Sequence, residues 1–121
     1  MTIALWTLQI LLALHTAIGA FWKLGNSAAQ VPSLSPIPST GWLALAGVEM
    51  ICAALLLLPL WKGLAGGAVP AAAIVIAAEM AGFILLHLRA GAAEPGPPLY
   101  WAVVMGLCLL LAALRLWVAP L

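Results

Sequence analysis

Four apolar stretches, each close to the length that crosses a bilayer and separated by very short connections, constrain this chain more than any other feature. A helix rises about 1.5 Å per residue, so about 20 apolar residues cover a hydrocarbon layer about 30 Å thick. Four such spans use about 80 residues and leave about 40 for loops and ends, in a chain of 121. Charge is too scarce to clothe a water-soluble surface: 6% of residues are charged, against roughly a quarter in an average soluble domain. A soluble enzyme and a disordered tail are excluded as readings. So is a nucleic-acid binder, because the net charge of +1 forms no basic stripe. What remains is an all-α polytopic membrane protein, one domain over residues 1–121.

The spans read as about 3–24, 41–60, 66–88 and 99–118. Gly25, Asn26 and a segment carrying Pro32, Pro36 and Pro38 end the first, since proline removes backbone donors and extends the residue before it. Pro59 marks the end of the second, and Trp61, Lys62 and Gly63 form a short turn. Pro70 suits the first turn of the third. The run from Arg89 through Glu94 to Pro98 cannot be one continuous helix. Short connections favour antiparallel neighbours, so the expected architecture is an up-down four-helix bundle. Trp22, Trp42, Trp61, Trp101 and Trp117 fall near span ends, the positions of an aromatic belt. Ala73, Ala77 and Ala81, with Gly82 beside them, form a stripe of small residues for close helix packing, and Gly63 with Gly67 is a weaker match.

Cys52 and Cys108 lie inside apolar runs and read as small buried hydrophobes. The first apolar run lacks a positive leader and carries His15 and Lys23, so it reads as a span, not as a cleaved signal. Lys and Arg divide evenly between the two faces, Lys62 and Arg115 against Lys23 and Arg89. The amino terminus tips the expectation toward both termini in the cytoplasm.

The polar residues inside the spans fall at matched depths. Counted from the loop end of each span, His15, Glu49 and Glu79 lie about 12–13 Å in. Lys23 and His87 sit two turns further out, on roughly the same faces as His15 and Glu79. An intramembrane carboxylate costs about 2.5–3.5 kcal/mol on insertion scales, so Glu49 and Glu79 are expected to face the bundle interior. Two readings stay open: a hydrogen-bonded network that fixes helix register, or a pocket or proton-linked site. His87 and Arg89, at a span end, have the further alternative of snorkelling to water. No metal is expected. Di-iron bundles use Glu-x-x-His, whereas Glu49 is followed three residues on by Cys52 and Glu79 by Gly82. Bis-histidine haem is disfavoured by a depth difference of about 12 Å between His15 and His87.

Three segments carry a family resemblance: AIGAFWKL ending the first span, GWLALAGVEMICAALLLLP in the second and ILLHLRAG ending the third. In their order and spacing the chain resembles the DoxX-like family of small four-helix bacterial membrane proteins. The matching positions are Lys23, Glu49, His87 and Arg89; His15 and Glu79 are not assigned to the pattern. The resemblance implies a bacterial inner-membrane protein tied to quinone-dependent or thiol-linked redox systems.

Three functions are therefore expected to compete. The first is an accessory subunit of a redox system at the quinone pool. Its quinone headgroup would meet Lys23, Glu49 or His87 beside Trp22, Trp42 and Phe83, and no cofactor would be covalently bound. The second is a structural or assembly subunit among other membrane subunits, or a homo-oligomer, without its own ligand. The third is a small proton-coupled transporter using Glu49 or Glu79. No flavin, haem or iron–sulfur motif is present, so electrons would have to come from a partner.

Overall fold

Each helix boundary has a local cause. The computed structural model describes residues 2–27, 30–31, 34–60, 67–91 and 96–118. Helix α1 runs Thr2–Gly25, and the Asn26 side-chain amide donates to the Trp22 carbonyl at 2.9 Å, satisfying one of its last-turn acceptors. Helix α2 runs Ser39–Leu57, two residues earlier than the expected start, because extended Pro38 leads directly into the first turn. It tightens into a 3₁₀ turn at Leu58–Leu60, around Pro59. Helix α3 runs Ala68–Arg89 with Pro70 in its first turn and stops at Gly91, which adopts a left-handed φ of 66°. Helix α4 runs Gly96–Ala113. It begins before the expected residue 99 because Pro97 and Pro98 occupy first-turn positions, where backbone donors lack partners in any case. A π-helical turn, Leu114–Val118, carries it to the end of the described chain. Among the described residues, four helices are long and apolar enough to cross a membrane. The expected turn at Trp61–Gly63, the start of span three at Gly66, and Pro32 and Glu94 lie outside the described residues.

The helices form an antiparallel bundle. The end of α1 meets the start of α2, where the Trp42 indole N–H donates to the carbonyls of Lys23 and Asn26 at 3.1 and 2.7 Å. Likewise the end of α3 meets the start of α4, where the His87 ring lies edge-on to Trp101. Helix α1 packs extensively on α2, and α3 on α4; α2 and α3 join the two pairs, while α1 and α4 touch sparingly. Leu12, Leu56, Ile76, Cys108 and Leu111 fill the centre. Ile3, Ile18, Phe21, Ile51, Leu88 and Val103 face outward, as the lipid-facing side of a membrane bundle requires. The start of α1 and the end of α4 lie at one face, here the terminal face; the 26–38 connection lies at the other, the loop face.

Three sequence expectations change in the structure. Trp42 and Trp101 are buried at 3% and 6% exposure, so they are not belt residues. Trp42 turns inward because two backbone carbonyls take its N–H there. Trp22 and Trp117 remain exposed. The small-residue stripe is only half internal: Ala73 and Ala77 are buried, whereas Ala81 and Gly82 face outward. Arg115, expected at the membrane surface, is 4% exposed. Its Nε donates to Gln9 Oε1 at 3.0 Å, and its guanidinium lies 5.0 Å from the Trp6 ring centre. Both cysteines are buried and free, as expected.

Candidate functional site

The sparse α1–α4 contact leaves a seam, and a cavity lies along it. It has a volume of about 490 Å³, within the roughly 300–1,000 Å³ range of small-molecule sites. His15, Gly19, Trp22 and Lys23 form its α1 wall, and Tyr100 and Trp101 its α4 wall. Trp42 and Phe83 close the back, while Val31 and buried Leu34 from the 26–38 connection roof it. That connection folds inward because Leu34 carries an apolar side chain, and its turns are closed by Leu34 N–H to Val31 O at 2.9 Å and Ile37 N–H to Leu34 O at 3.0 Å.

At the inner side of this cavity stands an ion cluster. Lys23 Nζ lies 2.6 Å from Glu49 Oε1 and 4.0 Å from Glu79 Oε1. All three side chains are at most 8% exposed. Sequence depth put Lys23 a layer above the two carboxyls; the structure puts it among them. The reason is geometric. Helical side chains tilt toward their helix's N-terminus, so Lys23 leans back toward mid-membrane. Glu49, on the antiparallel neighbour, leans outward to meet it. Glu79 leans away on α3, which accounts for its longer distance. Gly19 makes room: a Cβ there would stand 3.3 Å from Glu49 Oε2. The ammonium also lies 5.2 Å from the centre of Trp42 and 5.5 Å from that of Phe83, near enough for cation–π attraction.

Charge arithmetic defines the chemistry. One ammonium faces two carboxyls inside a low-dielectric bundle, so the cluster is neutral only when the carboxyls hold one proton between them. Both Glu79 oxygens are buried, and the carboxyl lies within hydrogen-bonding reach of the Glu49 carboxyl, where one proton can be shared. His15 sits on the α1 wall of the cavity, and its Nε2 is hydrogen-bonded to the Tyr100 hydroxyl across the seam. Its buried Nδ1 has no hydrogen-bond partner among the described residues. Buried polar atoms without partners are uncommon and call for a ligand, water or proton.

The other candidates separate. His87 is 2% exposed, so it does not snorkel; it backs the cavity through Trp101 without lining it. Arg89 is exposed at the end of α3 and lines no part of the cavity. Trp22, Trp42 and Phe83 line it as expected. Sequence reading missed Tyr100 and Trp101. Both lie on α4, which carries no ionisable group to draw attention at that depth. A first-turn Tyr-Trp pair opposite His15 was the available signal. No group of three His, Cys, Asp or Glu able to hold a metal occurs among the described residues.

The chain matches no protein-family model, no curated protein and no solved structure.

Proposed function

We propose that this protein is a small inner-membrane accessory subunit of a redox system, and that its α1–α4 cavity receives the headgroup of a membrane quinone. The observation that carries the reading is the Lys23 ammonium, tied to Glu49 and Glu79, at the wall of an aromatic cavity that opens along a loosely packed seam. The DoxX-like resemblance at Lys23 and Glu49 supports it, as does the fit of the residues to the ligand. A quinone offers two carbonyl acceptors at opposite ends of a flat ring and a lipid-soluble tail. Lys23 supplies a donor on one side of the cavity, and the Tyr100 hydroxyl one on the other when its oxygen accepts from the His15 Nε2–H. Trp22, Phe83 and Trp101 flank the ring with aromatic surface. The tail leaves through the seam into lipid.

When bound, the quinone supplies the redox chemistry, and its electrons come from a partner protein. The chain's own residues do three things. Lys23 orients a carbonyl oxygen. Glu49 and Glu79 hold one proton beside that oxygen. The aromatic walls and Leu34 exclude water. In the cell this reading places both termini in the cytoplasm and the roofed cavity on the outer side.

The test is binding of a short-tailed quinone to the purified protein in nanodiscs, followed by tryptophan quenching. Wild type should bind saturably, and Lys23→Met and Glu49→Gln should each weaken binding at least tenfold. Equal affinity in all three contradicts the reading. The open seam also favours a second reading, in which a helix of a larger complex fills it and the protein is a structural subunit. Copurification of a stoichiometric membrane partner, with no quinone bound, would select that one.

A further inference from the structure

A second cavity of about 410 Å³ lies above the first, at the loop face. Its character differs. Asn26, Ser27, Ser35 and Ser39 contribute polar groups to its wall, and the three serines are exposed. The two cavities share Lys23 and Trp42. Trp42 is pinned by its two carbonyl hydrogen bonds and forms a partition, with the Lys23 stem running along it. Thus the side chain whose ammonium touches Glu49 also borders a polar recess open to the surface.

The opposite direction is closed. On the terminal-face side of the cluster, Leu12, Leu56 and Ile76 lie one to three turns away along their helices, and Leu111 of α4 belongs to the same core. Each is at most 4% exposed. Beyond them Gln9 Nε2 donates to the Leu56 carbonyl at 2.7 Å. This is where Pro59, which would be the i+3 donor, has no N–H. Gln9 and Arg115 therefore join the helix ends there with a hydrogen-bonded layer.

We infer that the Lys23–Glu49–Glu79 cluster exchanges protons and water with the aqueous phase at the loop face only, through the serine-lined recess, with Trp42 and Lys23 as the partition. The step is a simple transfer: water in the recess takes the proton shared by the carboxyls, relayed along the Lys23 ammonium, and leaves as hydronium. Return follows the same path. The inference rests on reading the cluster as a proton-holding site, but its test contains no quinone, so the two fail separately.

Lys23→Cys is made in the otherwise native chain and reconstituted in vesicles of uniform orientation. Wild type, with Cys52 and Cys108 buried, is the blank. A membrane-impermeant cationic methanethiosulfonate should modify Cys at position 23 from the loop face at least tenfold faster than from the terminal face. Equal rates, faster modification from the terminal face, or no modification from either would overturn the inference. Because Lys23→Cys leaves two buried carboxyls without their cation, a second measurement keeps the native cluster. Transfer of detergent-solubilised protein from H2O to D2O shifts the infrared carboxyl bands of Glu49 and Glu79. Ser39→Trp, which fills the recess from its exposed rim, should slow that shift at least tenfold. Leu58→Trp, exposed at the terminal face, should not. No slowing by Ser39→Trp, or equal slowing by both, would overturn the inference.

Discussion

At the terminal face, Gln9, Arg115 and the Leu56 carbonyl form a chain of polar groups paired within the protein. At the loop face, Lys23, Glu49 and Glu79 form a cluster with buried oxygens left over, next to two cavities. Both clusters bury charge in an apolar bundle, and two cavities lie beside the second. The first holds helix ends together where α2 loses its regular ladder at Pro59. The second borders an apolar chamber along the seam and a polar recess above it. A third, wholly apolar groove between α2 and α3, lined by Val48, Ile51, Leu55 and Val75, has neither polar group nor roof and is ordinary lipid-facing surface. Buried polarity alone therefore does not mark a site; buried polarity bordering an unfilled cavity does.

Mutations that treat the clusters differently sharpen this contrast. The largest effect is expected from Lys23→Met, which strands two carboxyls. Removing one partner of a buried ion pair costs about 3–5 kcal/mol, read as a lowered midpoint in detergent unfolding, and quinone binding is lost as well. Adding Glu49→Gln and Glu79→Gln should restore most of the stability, because replacing a whole buried ionic set with neutral groups is often close to neutral. It should not restore binding. If binding returned, the ammonium would not be a ligand-orienting group.

Gln9→Leu should cost about 1–3 kcal/mol, the penalty for leaving buried polar partners unsatisfied, here the Leu56 carbonyl and part of Arg115. Quinone affinity should stay within twofold of wild type. A larger change in affinity would erase the distinction between the clusters. Gly19→Ala brings a methyl to 3.3 Å from Glu49 Oε2. It should cost about 1 kcal/mol, the low end for overpacking, and weaken binding a few-fold as the carboxyl shifts. The smallest effect is expected from Tyr100→Phe, which removes one hydrogen bond worth about 0.5–1.5 kcal/mol. It breaks the His15 bond across the seam in the free protein and removes the donor to the quinone in the complex, so the unfolding midpoint should fall slightly and quinone affinity a few-fold.

The fold was largely legible in the sequence because bilayer crossing imposes a length and an apolarity that four segments meet. Three boundary differences are explained by proline: Pro38 starts α2 early, Pro97 and Pro98 start α4 early, and Pro59 turns the end of α2 into a 3₁₀ turn. The site was legible in part. Depth counting brought Glu49 and Glu79 to one layer, and the structure places both within 4.0 Å of the Lys23 ammonium. The same arithmetic misplaced Lys23, because it counts Cα height and ignores the backward tilt of a long side chain. Which helix pair would be loosely packed could not be read, since the polar residues orient a face inward but the remaining faces are apolar and alike. Tyr100, Trp101 and the folding of Leu34 over the cavity follow from that packing alone.

The account turns on where a quinone sits. The most direct measurement is photolabelling of the nanodisc-embedded protein with a short-tailed azidoquinone, with labelled peptides located by mass spectrometry. The account predicts labels on the α1 segment containing Trp22 and on the α4 segment containing Tyr100 and Trp101, suppressed by excess unmodified quinone and by Lys23→Met. Labels on the α2–α3 groove around Ile51 and Val75, or labelling that excess quinone does not suppress, would contradict it.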